Sequence, residues 1–351
     1  MAEDTAPIRK GEELPLHQLA DYLRGKLPGL EEPLTAEQFP GGHSNLTYLL
    51  RTGAHEYVLR RAPLGPLPPK AHDMMREAGV LRAIHPHFPL APRVDWLCED
   101  AAVIGAPFYL MERRRGLVVR TNLPEEYAGI PDFAPRVSGA LVDCLAALHN
   151  VDVVQHHLTS IGKPEGFLER QVHGWTGRWR HAQTEPIAQM DHVVEWLERN
   201  IPVSGPPALV HNDYKLDNLM LDPLDPSRIA AVLDWEMATV GDPMADLGLS
   251  LCYWLHAGSP GADDNQVTGL PRADGWFTRE QFLSRYAAQT GRDISSIGWH
   301  EVLGVFKLAV ILQQIYYRYA QGQTSDIRFK DFHLRVRSLC ATAYQLMEEL
   351  R

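Results

Sequence analysis

The stretch LVHNDYKLDNLMLD, residues 209–222, places four chemically capable side chains within eight positions: His211, Asp213, Asp217 and Asn218. Three readings compete for them. A polar turn between two strands uses Asn, Asp and Lys freely and needs no function. His-x-Asp is also the first half of a two-histidine, one-carboxylate iron site, with His256, His300 or His333 downstream as the second imidazole. That reading expects an all-β barrel and leaves Asn218 unexplained. The third uses more of the residues, because His-x-Asp-x-x-x-x-Asn is the spacing of a kinase-type catalytic loop. In such a loop Asp213 orients a substrate hydroxyl and takes its proton, and Asn218 offers its amide oxygen to Mg2+.

A loop of this kind requires partners elsewhere in the chain, in a set order. A second magnesium carboxylate should end a nearby strand, and IAAVLDWE ends its apolar run at Asp234, 21 residues past Asp213. Carboxylate and amide oxygens are hard donors that leave room for water and phosphate oxygens. Backbone amides of a glycine turn should cover the phosphates. PGGHSN supplies Gly41, Gly42, His43, Ser44 and Asn45 between two strand-like runs. A cation on the following strand is met by Arg60, and a glutamate on the next helix by Glu77. Taken singly, the glycines read as a hairpin turn and Arg60 and Glu77 as solvated charges. Five features in the required order carry the argument.

The elements that must position these residues follow from periodicity. Leu16, Leu19, Ala20, Leu23 and Leu27 predict a helix over 16–27. Strand-like runs cover 34–39, 45–52 and 55–61, the last two joined at Gly53-Ala54. A helix over 72–84 and strands over 94–100 and 106–113 follow. Beyond residue 130 the chain turns to amphipathic helices at 136–151, 166–181 and 190–200. Short strands at 208–210, 218–222 and 228–235 interrupt them, and the remainder reads as helical apart from a loop at 257–274. The fold class expected is α+β: a small antiparallel-sheet nucleotide-binding lobe over 1–112 and a larger, mainly helical catalytic and substrate-binding lobe over 113–351.

Composition narrows the partners. The 351 residues carry 34 basic and 44 acidic side chains, a net charge of −10, which argues against nucleic-acid binding. Cys98, Cys144, Cys252 and Cys340 form no CxxC pair, so they read as small core hydrophobes in a reducing compartment. The polar start MAEDTAPIRKGEEL lacks the apolar core of a signal peptide, and no apolar run reaches the roughly 20 residues of a membrane span. A cytoplasmic protein with no membrane partner is expected.

LVHNDYKLDNLML and VLDWEMATVGDPMADLG, with FPGGHSNLTYLL before them, resemble the aminoglycoside phosphotransferase family, small-molecule kinases that share the protein-kinase fold. The likeness covers nearly the whole chain. YVLRR, CEDAAVIGAPFYLMER, ALHNVD and PEGFLERQVHGWTGRW are similar to the kinase-like domains fused to some acyl-CoA dehydrogenases and to their free-standing bacterial relatives. The resemblance implies ATP as phosphoryl donor, Mg2+ as cofactor and a functional link to an acyl-CoA dehydrogenase. It implies that Asp246 braces the loop and that adenine meets the chain near Met111, Glu112 and Arg113. His211 is read as holding the loop and Asp217 as a surface residue. One departure stands out: the wider family usually has lysine where this chain has Arg60, whose fork is larger and grips phosphate bidentately.

The acceptor implied by the resemblance is a small-molecule alcohol, a hydroxyacyl-CoA or hydroxy acid of the 4-hydroxy type. Arg170, Arg178 and Arg180 share the 166–181 helix with Trp175 and Trp179, which suits an anionic, partly apolar ligand. The two tryptophans, at i and i+4, read equally as one buried stripe. Asp263 and Asp264 could host a cation or be solvated loop charge. An aminoglycoside or choline-like acceptor, a nucleotide-binding pseudokinase regulating a partner, and the His-x-Asp oxygenase are the alternatives.

Overall fold

The computed structural model describes residues 4–30, 32–40, 45–63, 73–120, 122–254, 273–324 and 326–351. Two compact units emerge: Met1–Gly116 with Ala230–Ala238, and Leu117–Ile229 with Thr239–Arg351. The first unit therefore ends at Gly116 rather than 112, and it reclaims a later segment that the sequence reading gave to the second. The reason is local bonding. The Val232 amide donates to the Leu90 carbonyl at 2.9 Å, the Trp235 ring meets Phe88 edge-on, and the Arg76 guanidinium donates to the carbonyls of Glu236 and Ala238 at 2.7 and 2.6 Å.

In the first unit, β1 (Thr35–Gln38), β2 (Leu46–Thr52), β3 (His55–Arg61), β4 (Val94–Cys98) and β5 (Phe108–Glu112) form one antiparallel sheet in the order β1-β2-β3-β5-β4. Thr52 pairs with His55, so Gly53-Ala54 is a two-residue turn, and Gly53 takes the φ of +53° that such turns demand. Tyr48, Leu50, Leu59, Phe108 and Leu110 share one apolar cluster with Leu19 and Leu23 of α1 (Leu16–Leu23). The first helix stops four residues before the expected Leu27, because Gly25 leaves the helical region at φ +73°. In α2 (Met74–Ile84) the Asp73 carboxylate caps the start by accepting from the Arg76 amide, and Glu77 lies on the buried face.

The second unit is built on helices. In chain order they and the strands are α3 (Phe133–His149), α4 (Phe167–Ala182), α5 (Ala188–Arg199), β6 (Ala208–Val210), β7 (Leu219–Leu221), β8 (Ile229–Val232, of which only Ile229 belongs here), β9 (Thr239–Gly241), α6 (Pro243–Tyr253), α7 (Arg279–Thr290), α8 (Ile297–Ala320) and α9 (Phe332–Glu349). Its core gathers Trp175 and Trp179 of α4, Val210, Phe306 of α8 and Leu339 of α9, so the two tryptophans are a buried stripe. Gly248 lets α6 approach α8: a Cβ there would lie 2.6 Å from the His300 carbonyl carbon. The helical reading of 236–253 is corrected by β9, which pairs antiparallel with β6. Three residues are too few to display a period, so only the partner strand reveals it. No helix among the described residues is long and apolar enough to cross a membrane.

Candidate active site

In the second unit, the buried strand β6 delivers His211–Asn218 as an irregular loop ending in a single 3-10 turn. Asn212 adopts φ +65°, a left-handed conformation that Asn tolerates better than most residues. The loop is held from below by Asp246 on α6. Its carboxylate accepts the backbone amides of His211 at 2.6 Å and Asn212 at 2.8 Å, and it faces His149 Nε2 at 3.4 Å. All of Asp246 and His149 is buried. Burial alone would raise the Asp246 carboxyl, but His149 and the loop amide bring it below the usual range. Burial pushes His149 down despite Asp246; its Nε2 faces that carboxylate and its Nδ1 lies 2.7 Å from the Tyr286 hydroxyl, contacts that suit an Nε2–H tautomer.

Asp213 sits among three donors. Lys215 Nζ lies 2.9 Å from Oδ2, the Tyr253 hydroxyl donates to Oδ1 at 3.0 Å, and Asn218 Nδ2 donates to Oδ2 at 2.9 Å and to the Asp213 carbonyl at 2.8 Å. This orientation turns the Asn218 amide oxygen away from Asp213. Burial and the Asp213 charge push the Tyr253 phenol well up, so it remains a donor. The Asp213 amide donates to His211 Nδ1 at 3.3 Å, and His211 is fully buried, whereas Asp217 is exposed.

A second group lies in the first unit. Arg60 of β3 reaches Asp234 Oδ1 with Nη2 at 2.6 Å and Glu77 Oε1 with Nη1 at 3.4 Å, and Glu236 stands 3.9 Å away. Burial works against the Arg60 charge, yet Glu77 and Asp234 outweigh it and hold it cationic. Burial pushes the Glu77 carboxyl up to about 7; Arg60 opposes the shift, while Asp234 and Glu236 add to it. Asp234 does not continue the strand, as the run over 228–235 suggested. It stands at φ +67° and opens the turn Trp235–Met237. Asn45 Nδ2 donates to Glu236 at 3.0 Å.

Gly41, Gly42, His43 and Ser44 lie outside the described residues, as do His256, Asp263 and Asp264. Met111 and Glu112 end β5, where the Glu112 amide already donates to the Arg93 carbonyl at 2.9 Å. Arg113 is ion-paired to Glu56 at 2.6 Å and Asp4 at 2.7 Å. Sequence reasoning missed Lys215 and Tyr253 at Asp213, Glu236 near Arg60, and Arg76 on the Glu236 and Ala238 carbonyls. Lys215 was legible from its place within HNDYKLDN; Tyr253 comes from a helix 40 residues away and left no local signal.

Among the described residues no group of three or more His, Cys, Asp or Glu is arranged to hold a metal. That count does not include His256, while His300 bonds the Ser296 carbonyl and His333 the Lys330 carbonyl. It is compatible with Mg2+, which keeps waters and phosphate oxygens around one or two protein oxygens. The Asn218 amide oxygen and the Asp234 carboxylate are donors of that type. Arg60 Nε is buried and has no hydrogen-bond partner among the described residues.

Known proteins supply the context. The chain is 36% identical over 331 residues to acyl-CoA dehydrogenase family member 10 of Mus musculus, covering 92% of this chain but only 30% of that longer protein. A Ralstonia eutropha protein assigned to the aminoglycoside phosphotransferases superposes with a TM-score of 0.82 at 31% identity, covering 96% of this chain and 99% of the other. Choline kinase from Cryptosporidium parvum shares the fold at TM-score 0.64 and 13% identity, over 95% and 96% of the two chains. So does a thermostable mutant of aminoglycoside phosphotransferase APH(4)-Ia in ternary complex with AMP-PNP and hygromycin B, at TM-score 0.57 and 17% identity, over 89% and 94%. The architecture is thus the α+β kinase-like fold. The model of the phosphotransferase enzyme family matches residues 35–282, and the chain belongs to that family.

Proposed function

We propose that the protein transfers the γ-phosphoryl group of ATP to the alcohol of a small molecule, a hydroxyacyl-CoA or hydroxy acid with the 4-hydroxy type favoured. The observation that carries this is Asp213 itself. Its carboxylate is ionically partnered and hydrogen-bonded by Lys215, Tyr253 and Asn218, on a loop whose amides are clamped by a buried anion. A carboxylate so fixed can orient an alcohol and accept its proton. The alcohol oxygen then forms the new bond to the γ-phosphorus, the bond to the β–γ bridging oxygen breaks, and ADP leaves with that electron pair. Lys215 offers a cation beside the reacting oxygen. Arg60, held by Glu77, grips phosphate oxygens with its fork, and the amides of Gly41–Asn45 cover them. Met111–Arg113 meet the adenine. Asn218 and Asp234 would hold Mg2+, which when bound neutralises charge between the β- and γ-phosphates.

The acceptor class draws support from the relatives' acyl-CoA dehydrogenase names, and the donor from the AMP-PNP complex of the related fold. A functional link to an acyl-CoA dehydrogenase follows as part of the same reading. The test is a coupled ADP-release screen of 3- and 4-hydroxyacyl-CoAs, free hydroxy acids, aminoglycosides and choline. Asp213→Asn keeps the hydrogen-bonding shape but cannot take a proton. It should lower kcat by at least about 10²-fold while nucleotide binding persists. Turnover confined to aminoglycosides would overturn the acceptor, and an unimpaired Asp213→Asn would overturn the mechanism.

A further inference from the structure

The run VLGVFKLAVIL on α8, residues 302–312, contains a single charge, Lys307, and only 2% of that residue is exposed. A buried ammonium ordinarily finds a carboxylate. Among the described residues Lys307 has neither an ion pair nor a hydrogen bond; its Nζ lies 5.5 Å from the centre of the Trp175 ring. The guanidinium of Arg178, one turn along α4, lies 4.3 Å from the same ring and likewise has no carboxylate partner among the described residues. Arg170 on the same helix behaves differently, donating to the carbonyls of Glu165 and Lys163. Among the described residues two cations without a carboxylate partner thus flank one indole, in a chain of net charge −10. Burial lowers the Lys307 pKa, Asp246 and Asp213 raise it, and Arg178 lowers it further. The ammonium therefore feels the carboxylate of Asp213 and the guanidinium together.

We propose that Lys307 and Arg178, gathered at the Trp175 ring, form the subsite for an anionic oxygen group of the acceptor, carboxylate or phosphate, while the acceptor's hydroxyl lies at Asp213. This rests on the phosphotransferase reading and narrows its substrate class. An anion entering there would supply the partner that neither cation has among the described residues. A polycation such as an aminoglycoside would meet repulsion instead. The competing role for Lys307 is that of an internal counter-charge to Asp213 and Asp246. As such, it would affect every acceptor alike.

The experiment uses the full chain and its Lys307→Met, Lys307→Arg and Arg178→Gln variants. Arg178 is exposed, so its variant tests the idea without disturbing the core. Initial rates are measured with a free hydroxycarboxylate, its CoA thioester, its pantetheine thioester and the corresponding neutral diol. Lys307→Met should raise KM for the anionic acceptor about 10- to 100-fold, the weight of one lost charge-assisted contact. The neutral acceptors should change little, and Lys307→Arg should restore part of the difference. Selectivity expressed on the free acid assigns a carboxylate. Selectivity expressed only between the CoA and pantetheine thioesters assigns a phosphate. Equal effects on charged and neutral acceptors overturn the subsite and leave the phosphotransferase reading standing. If no acceptor is turned over, that reading fails. Calorimetric titration of the hydroxycarboxylate into wild type and Arg178→Gln then decides the subsite, with equal or absent binding overturning it.

Discussion

Removing the Asp246 carboxylate tests whether the catalytic loop is held by one buried anion. Asp246→Ala leaves the amides of His211 and Asn212, now bonded at 2.6 and 2.8 Å, without an acceptor in a fully buried position. An orphaned buried donor costs about 1–3 kcal/mol, so the pair costs about 2–6 kcal/mol. That is a large share of the 5–15 kcal/mol typical of a domain. Asp246→Asn retains one oxygen but turns an NH2 toward the other amide, and its cost should fall near the lower end. Hydrogen exchange at His211 and Asn212 gives a local readout, since 1.4 kcal/mol corresponds to tenfold in protection. Both amides should lose at least tenfold protection in the alanine variant, less in the asparagine variant, and kcat should fall in the same order. The Asp246 carboxyl is lowered in the folded chain. Its contribution is therefore present above the ordinary carboxylate pKa and lost as pH falls through the lowered value. Asp246→Asn should remove that acid-side slope. Unchanged amide protection in Asp246→Ala would refute the reasoning.

Two further outcomes follow from other positions. Glu77 is raised from 4.5 to about 7, so its stabilising protonation is complete below the ordinary carboxylate value and lost as pH rises through about 7. Unfolding profiles should show wild type losing a few kcal/mol over that interval relative to Glu77→Gln, and a pH-independent difference between the two would contradict it. Gly248→Ala forces a methyl to within 2.6 Å of the His300 backbone. Overpacking of this kind costs about 1–3 kcal/mol, and the lower Tm should appear with the helix content unchanged.

How much of this was legible beforehand depended on the range of the interaction. β3 runs over 55–61 as the strand-like run and the Gly53-Ala54 turn indicated, because a two-residue hairpin is specified locally. The extent of α1 was misjudged because its leucine period continues past Gly25, where backbone freedom outweighs pattern. Asp213, Asn218 and Asp234 were singled out by spacing, and Asn218 does lie 2.9 Å from the Asp213 carboxylate. The pairing of Arg60 with Asp234, 174 residues apart, was not, since periodicity carries no information about which strand end meets which side chain. Lys307 was visible as the one charge within VLGVFKLAVIL, but its meaning needed the ring of Trp175 and the position of Arg178.

Asn212 and Asp234 both occupy the left-handed region, at φ +65° and +67°. Gly, Asn and Asp enter it with the least strain. At Asp234 the substitutions that respect the backbone are therefore Asn and Gly, and each removes the carboxylate. A single nucleotide change in an aspartate codon reaches either residue. On the proposed reading, a duplicated copy would thus lose a magnesium carboxylate in one step without straining the backbone. Restoring the carboxylate would take one step back.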